Sequence, residues 1–122
     1  MRILVVDDNA ANLDLMLYLL RSFGHDPEGK ADAIAALESA GTGNFELVLS
    51  DVLMPRMDGY EFARRFKANA ALASTPLVAV TALAMPADRK RAQEAGFDGY
   101  VIKPIDPETF VSQVEAFVAG ST

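Results

Sequence analysis

Asp51 stands where an apolar run gives way to a loop-forming segment. The run covers residues 45–50 and predicts a buried strand, and Pro55 and Gly59 predict the loop that follows it. In an open α/β sheet, ligands bind at the edge where the parallel strands end. The position of Asp51 therefore predicts a carboxylate that faces a ligand site.

Other polar residues end further apolar runs. Asp7 and Asp8 follow the first run, Thr81 ends a later one, and Lys103 ends the last. Three carboxylates in one crevice repel each other and raise each other's pKa values, and a hard divalent cation relieves this repulsion. Mg²⁺ fits best, with Mn²⁺ as a substitute, because it binds carboxylates, water and phosphoryl oxygens.

These residue types also suit phosphoryl transfer. A carboxylate such as Asp51 can act as a nucleophile and form an acyl phosphate. The transfer then depends on neutralising charge and aligning the reactants more than on acid–base chemistry. Lys103 would provide a positive charge and Thr81 a hydroxyl donor, so the required groups are all present.

Apolar runs alternate with helical patterns along the whole chain. We predict strands over 3–7, 26–30, 46–51, 77–81 and 99–103, and helices over 11–23, 31–39, 59–70, 86–95 and 107–118. Strict alternation predicts a parallel sheet covered by helices on both faces. Pro27 weakens the second strand, which suits an edge position. The flavodoxin-like (βα)5 sandwich, with five parallel strands in the order 2-1-3-4-5, places it there.

Several helix ends carry recognisable signals. Asp106 before Pro107 suits a helix start, and Asp58 and Glu61 have the spacing of a capping box. Gly96 suits a left-handed helix stop. The basic residues at 89–91 are interpreted as a solvated helix face.

Length and composition limit the class of protein. The chain of 122 residues is expected to form a single domain, 1–122, and it has no cysteine for disulfides or thiolate metal sites. The formal net charge of −6 argues against direct nucleic-acid binding. No apolar stretch is long enough to span a membrane, and no export signal is seen, so a cytoplasmic location is expected.

Four segments together resemble one known family. They read VVDDN at 5–9, SDVLMPRMDG at 50–59, VTA at 80–82 and GYVIKP at 99–104. Their order and spacing resemble the response-regulator receiver domain of two-component signalling, over about residues 2–118. The single-domain type of regulator is expected, and a receiver cut from a larger protein stays open as the alternative.

The resemblance implies a role for each residue of the predicted site. Asp51 resembles the phospho-acceptor, and Lys103 the lysine that pairs first with the acceptor and then with the phosphoryl group. Mg²⁺ would be bound by Asp8 directly, with Asp7 assisting, together with Asp51 and the backbone carbonyl of Leu53. The resemblance thus implies a phospho-acceptor that catalyses only its own phosphorylation and dephosphorylation, not a turnover enzyme.

The resemblance also implies a switch and its partners. Thr81 would bond a phosphoryl oxygen, Ala82 would leave room for it, and Tyr100 would change rotamer with Thr81. A histidine kinase or histidine phosphotransferase would donate the phosphoryl group. A downstream protein would bind the face formed by helix 4, strand 5 and helix 5. The regulator would be a monomer or a phosphorylation-linked dimer, and the bond between Lys103 and Pro104 would be cis.

Three alternative functions remain to be weighed. A metal-dependent aspartyl phosphatase needs a second acid two residues after the nucleophile, where this chain has Leu53. A flavin-binding module needs a phosphate loop after the first strand, where Asp7 and Asp8 would repel a phosphate. A receiver-like interaction module that works without phosphorylation is disfavoured by the intact set of site residues, but it stays open.

Overall fold

Within the described residues, five parallel strands form one sheet. A computed structural model describes the backbone of residues 1–119 and the side chains of residues 1–118. The strands are β1 (Arg2–Val6), β2 (Asp26–Lys30), β3 (Leu47–Ser50), β4 (Leu77–Thr81) and β5 (Gly99–Ile102). Their order in the sheet, β2-β1-β3-β4-β5, confirms the predicted flavodoxin-like topology. Residues 120–122 of the predicted domain 1–122 lie outside the described residues.

The sheet positions Pro27 where proline is tolerated. Pro27 lies in β2 opposite Ile3 of β1, and β2 is the edge strand. An edge strand has a neighbouring strand on one side only. A residue without an N–H is therefore tolerated there, because no strand on the other side needs a hydrogen bond from it. The interior strands β1, β3 and β4 are almost entirely buried, which explains their continuous apolar sequences.

Helices cover both faces of the sheet. They are α1 (Ala10–Ser22), α2 (Ala33–Gly43), α3 (Gly59–Ala68), α4 (Pro86–Ala95) and α5 (Phe110–Ala119). Alternate strand residues point to opposite faces, so Leu4 and Val6 pack with α2, α3 and α4. Ile3 and Val5 pack with α1 and α5 on the other face. The result is the predicted three-layer sandwich.

Local chemistry sets the helix ends that lead to the site. The Asn9 side chain caps α1 by accepting a hydrogen bond from Asn12 N, and the Asp58 side chain caps α3 through Glu61 N. The Glu61 side chain pairs with Arg65 and does not reach back to the cap, so only half of a capping box forms. Gly96 ends α4 at φ 119°, which confirms the predicted left-handed stop.

Two helices differ clearly from the prediction. The prediction that α2 ends at residue 39 is wrong, because the helix continues through Gly43 and ends at Asn44, whose φ is 52°. The ring of Phe45 occupies the space beside Gly43 that a side chain would need. The prediction that α5 begins at residue 107 is also wrong. The Asp106 carbonyl accepts hydrogen bonds from Thr109 N and Phe110 N, so a turn precedes the helix.

The remaining boundaries agree with the predicted ones within one or two residues, which is the usual uncertainty of an element's end. None of the helices within residues 1–119 has the length and apolar character needed to cross a bilayer.

Candidate functional site

The strand ladders deliver the site residues to one edge of the sheet. Asp7 N donates to the Lys30 carbonyl at 3.1 Å, and Asp51 N donates to the Val6 carbonyl at 2.9 Å. Each bond extends the parallel pairing by one residue beyond the strand. Asp7 and Asp51 therefore follow adjacent strands, β1 and β3, at their carboxyl ends, as the sequence predicted.

Three carboxylates meet at this edge. One oxygen of each of Asp7, Asp8 and Asp51 lies within 4.8 Å of the others. Asp7 and Asp51 are buried, whereas Asp8 is exposed, so the cluster opens to solvent on the Asp8 side. Oxygen ligands at this separation suit a hard cation, and the open side gives it a route in from solvent. The donor set therefore fits the Mg²⁺ that the resemblance implies.

Lys103 reaches into the same cluster from the end of β5. Its Nζ lies 2.7 Å from Asp7 Oδ2 and 2.8 Å from Asp51 Oδ2. Burial opposes the charge on Lys103, but its hydrogen bonds to Asp51 and Asp7 outweigh burial and raise its pKa. The ammonium group therefore stays charged and partly neutralises two of the three carboxylates. The bond between Lys103 and Pro104 is cis, which confirms that expectation.

Asp7 is the most enclosed of the three acids. Its side chain has no exposed surface, its Oδ1 accepts a hydrogen bond from Asn9 N at 2.9 Å, and its Oδ2 is paired with Lys103. Burial raises the pKa of Asp7, although the bond to Lys103 and the bond from Asn9 work against this. Asp7 is therefore a carboxylate that another positive charge at the site would stabilise.

The two carboxylate oxygens of Asp51 have different partners, a lysine on one and backbone N–H groups on the other. Oδ2 is paired with Lys103, and Oδ1 accepts a hydrogen bond from Val52 N at 2.6 Å and a longer one from Leu53 N at 3.4 Å. Leu53 is 59% exposed, and its contact with Asp51 is made by its backbone N–H. That geometry is compatible with the backbone role that the resemblance implies for Leu53.

The loop after Asp51 folds back onto it at Gly59. Gly59 N donates to the Val52 carbonyl at 2.7 Å. A Cβ at position 59 would lie 2.6 Å from Val52 Cα and would also collide with the Asp51 carbonyl oxygen. Only glycine allows this approach, so Gly59 shapes the loop that holds the carboxylate, whereas the Asp58 side chain caps α3.

Thr81 and Tyr100 are joined through one residue, Leu83. Thr81 is fully buried, and its Oγ1 accepts a 3.4 Å hydrogen bond from Leu83 N. The Tyr100 hydroxyl donates a hydrogen bond to the Leu83 carbonyl oxygen. Burial raises the pKa of Tyr100, and the neighbouring Tyr60 and Asp88 add to the effect. The hydroxyl therefore stays protonated and able to donate.

Sequence reasoning missed some of these contacts. It paired Lys103 with Asp51 but did not foresee the equally short contact with Asp7. It interpreted residues 89–91 as a solvated face, and all three are exposed, but it did not foresee that Arg89 lies over the Tyr100 ring and Arg91 over the Tyr60 ring. Arginines at alternate positions of a short polar helix give no sequence signal for ring contacts, because the partners lie on other elements.

Known proteins share this chain's sequence pattern. The family model described as the response regulator receiver domain matches residues 3–115. The polar-differentiation response regulator DivK of Brucella ovis is 28% identical over 119 residues, which are 98% of this chain and 97% of DivK. A gliding motility regulatory protein of Myxococcus xanthus is 35% identical over 103 residues, which are 84% of this chain but only 13% of that protein.

Solved structures share the fold. The chemotaxis response regulator CheY4 of Vibrio cholerae has a TM-score of 0.91 at 28% identity, over 95% of this chain and 97% of that one. The receiver domain of a sensor histidine kinase from Pseudomonas aeruginosa, described with a magnesium ion coordinated in its active-site cleft, has a TM-score of 0.88 at 30% identity. That match covers 97% of both chains. With a family match over nearly the whole length and the same fold, this chain belongs to the response regulator receiver domain family of two-component signalling.

Proposed function

We propose that this chain is a phosphorylation-dependent signalling switch whose acceptor is Asp51. The phosphoryl group comes from a phosphohistidine of a histidine kinase or a histidine phosphotransferase. The observation that carries the proposal is the meeting of three carboxylates with one ammonium group at the sheet edge. The switch works in the cytoplasm as a monomer or a phosphorylation-linked dimer, and it binds no nucleic acid directly.

Asp51 is the best acceptor of the three acids. The Asp7 side chain has no exposed surface, so a donor could not reach it. Asp8 is exposed, but among the described residues it has no hydrogen-bonded partner that would orient it as a nucleophile. The Asp51 side chain is 11% exposed and is oriented by Lys103 and Val52. A positioned and still accessible carboxylate suits nucleophilic attack.

The metal partners are proposed from the same cluster. Asp8 would bind Mg²⁺ directly, Asp7 would assist, and Asp51 and the Leu53 carbonyl would complete the protein's share, with Mn²⁺ as a substitute. A bound divalent ion would neutralise charge on the transferring phosphoryl group. The raised pKa of Asp7 supports this assignment, because a cation would offset the cost of its buried charge.

The transfer step needs little from the protein beyond position and charge. One carboxylate oxygen of Asp51 attacks the phosphorus, the phosphorus–nitrogen bond of the donor breaks, and the imidazole leaves and takes up a proton. Lys103 then moves its pairing from the Asp51 carboxylate to the phosphoryl oxygens. The acyl phosphate is later hydrolysed, so the chain catalyses only its own modification and is not a turnover enzyme.

The signal is proposed to leave the site through Thr81 and Tyr100. The Thr81 hydroxyl turns from Leu83 N to a phosphoryl oxygen, with Ala82 leaving room for the group. Leu83 connects both residues, so this turn alters the carbonyl that the Tyr100 hydroxyl binds. The consequence is a population shift at the face formed by α4, β5 and α5, where a downstream protein binds.

Intact mass spectrometry tests the acceptor. Acetyl phosphate with Mg²⁺ should add one phosphoryl group to the chain and none to Asp51→Asn. Asp58→Asn is the matched control, because Asp58 caps α3 in the same loop and should leave labelling unchanged. Equal labelling of wild type and Asp51→Asn would reject Asp51. No labelling of wild type by either acetyl phosphate or a phosphorylated phosphotransferase would favour the phosphorylation-independent interaction module.

The proposed switch role of Tyr100 needs a separate experiment. Tyr100→Ala removes the hydrogen bond to Leu83 but leaves Asp51 and its neighbours in place. Phosphorylation should proceed as in wild type, while beryllofluoride should strengthen partner capture less than it does in wild type. Unchanged coupling in Tyr100→Ala would rule out this role.

A further inference from the structure

Helix α4 is thinly packed against the rest of the molecule. Within the described residues it buries only two side chains, Ala92 and Ala95, whereas α3 buries several large ones, including Phe62 and Phe66. The stabilisation from burial scales with apolar area, so two alanines hold a helix weakly. Contacts at the flanks of α4 therefore contribute a large share of what holds it in place.

Two arginines occupy those flanks. Successive helix residues are about 100° apart, so Arg89 and Arg91 lie on either side of the buried Ala92. The Arg89 guanidinium carbon is 5.2 Å from the centre of the Tyr100 ring, and that of Arg91 is 4.0 Å from the centre of the Tyr60 ring. Both distances allow a cation–π interaction. The helix is thus attached to β5 on one side and to α3 on the other.

Tyr100 is held at two points by these neighbours. Its hydroxyl is bonded to the Leu83 carbonyl in the loop before α4, and its ring lies beneath Arg89 on α4 itself. Moving the ring away would break both contacts. Tyr60 is 3% exposed and lies at the start of α3, so its contact with Arg91 is a fixed anchor for the helix.

We propose that Arg89 is a positioning residue that holds Tyr100 in its Leu83-bonded conformation, with the Arg91–Tyr60 contact anchoring α4 on the opposite flank. Arg89 then sets how often the ring occupies this conformation in the unphosphorylated protein. This gives α4 a direct influence on the residue that reports the state of the site. The link to signalling rests on the proposed function, whereas the effect on the ring does not.

The expected effect is modest and measurable. An exposed cation–π contact changes the ratio of two conformations by about two- to five-fold. Arg89→Met keeps the length and apolar stem of the side chain but removes its charge. Arg89→Lys keeps a positive charge and should retain part of the effect. Lys90→Met is the matched control, because Lys90 is an exposed neighbour with no ring contact within the described residues.

Fluorine NMR can follow the ring directly. The chain has three tyrosines and no tryptophan, so 3-fluorotyrosine gives three signals that Tyr18→Phe and Tyr60→Phe assign. The difference in shift between H₂O and D₂O reports the solvent exposure of each ring. Tyr18, which is 68% exposed, is the exposed reference and also reports whether each variant folds like wild type. The measurement is made on the full chain without phosphorylation.

In Arg89→Met, the H₂O/D₂O shift difference of the Tyr100 signal should move toward that of Tyr18, the exposed reference. Arg89→Lys should give an intermediate value, and Lys90→Met should match wild type. A Tyr100 signal that is the same in Arg89→Met and wild type would overturn the proposal. An equal displacement in Lys90→Met would also overturn it, because the effect would then come from any positive charge on α4. None of these results depends on which acid is phosphorylated. The role of Arg89 can therefore be rejected without rejecting Asp51 as the acceptor, and the reverse also holds.

Discussion

Lys103 Nζ lies 2.8 Å from Asp51 Oδ2, although the two residues are 52 positions apart in the chain. The parallel order of the sheet makes this possible, because β3 and β5 end at the same edge with only β4 between them. The ammonium group reaches past β4 to the carboxylate. Its second contact with Asp7 places one positive charge between two buried negative ones. Stability and chemistry at this edge are therefore linked through Lys103.

Lys103→Met should destabilise the protein at neutral pH. The substitution keeps the apolar stem but leaves Asp7 and Asp51 without their shared cation. Breaking a fully buried pair costs roughly 3–5 kcal/mol. We expect about 2 kcal/mol here, because the cluster is open on one side and an acid can take up a proton. Urea unfolding at pH 7 measures the change. Lys90→Met, on the exposed face of α4, should stay within about 0.5 kcal/mol of wild type.

The same lysine predicts an alkaline effect. The pKa of Lys103 is raised above its ordinary value of 10.5 because its bonds to Asp51 and Asp7 outweigh burial. Its contribution to stability is therefore complete below pH 10.5 and is lost as the pH rises through the higher folded-state pKa. Wild type should lose stability in this range more steeply than Lys103→Met. Parallel curves for the two proteins would contradict the assigned pKa direction.

Asp7→Asn should stabilise the metal-free protein at neutral pH. Burial raises the pKa of Asp7, so the folded protein binds this proton more tightly than the unfolded chain. The contribution of Asp7 to the free energy of unfolding is fully present below pH 3.8, the ordinary pKa of an aspartic acid. It is lost as the pH rises through the higher pKa that Asp7 has in the folded protein. Asparagine carries no charge, and its amide oxygen could still accept from Asn9 N. We expect a gain on the order of 1 kcal/mol at pH 7.

The control for Asp7→Asn is its pH dependence. The gain should shrink as the pH falls toward the ordinary value of 3.8, because the raised pKa means that the folded wild type takes up this proton before the unfolded chain does. Denaturant unfolding at a series of pH values gives the comparison. A gain that persists unchanged at pH 4 would point to altered packing and not to the charge of Asp7.

Magnesium should raise the melting temperature of wild type at millimolar concentration, because it binds the folded cluster and not the unfolded chain. Asp8→Asn should abolish most of this shift. Asp8 is exposed, so its substitution should change the metal-free stability by less than about 0.5 kcal/mol. Thermal unfolding with and without Mg²⁺ separates the two effects. An equal Mg²⁺ shift in wild type and Asp8→Asn would exclude Asp8 as a ligand.

The topology and the site were predictable because their signals are local. Within the described residues every strand except β2 is a short, mostly apolar run, and Asp7, Asp51 and Thr81 each lie at the end of such a run, so parallel order alone brings them together. Pro27 has no backbone N–H to donate to a second neighbouring strand, so it indicated that β2 lies at the edge of the sheet. These inferences need only the chain direction and the strand order.

Other features depend on contacts between distant elements. The extra turn of α2 passes Gly41 and Gly43, which are poor helix formers, and the packing of Phe45 beside Gly43 gives no local pattern. The contact of Arg89 with Tyr100 likewise joins α4 to β5, and nothing in either segment alone indicates it. Local propensity therefore misplaced the end of α2, whereas it gave the bounds of α4 correctly but not the ring contact of Arg89.

Gly59→Ala should disturb the site through the backbone. A Cβ at position 59 would lie 2.6 Å from Val52 Cα and would collide with the Asp51 carbonyl oxygen, so the loop or the end of β3 must shift. Overpacking of this kind costs about 1–3 kcal/mol. The displacement of Asp51 should also slow its phosphorylation by acetyl phosphate. Urea unfolding and the rate of mass labelling measure the two effects.

Gly41→Ala is the matched control for Gly59→Ala. Gly41 lies within α2, and a Cβ there would meet no other heavy atom within 4 Å. Alanine should therefore stabilise the helix by about 0.4–1 kcal/mol and leave the rate of labelling unchanged. The two glycine variants should thus have opposite effects on stability. If Gly59→Ala were as stable as wild type and were labelled at the wild-type rate, the close approach of this loop to Asp51 would not be what positions the acceptor.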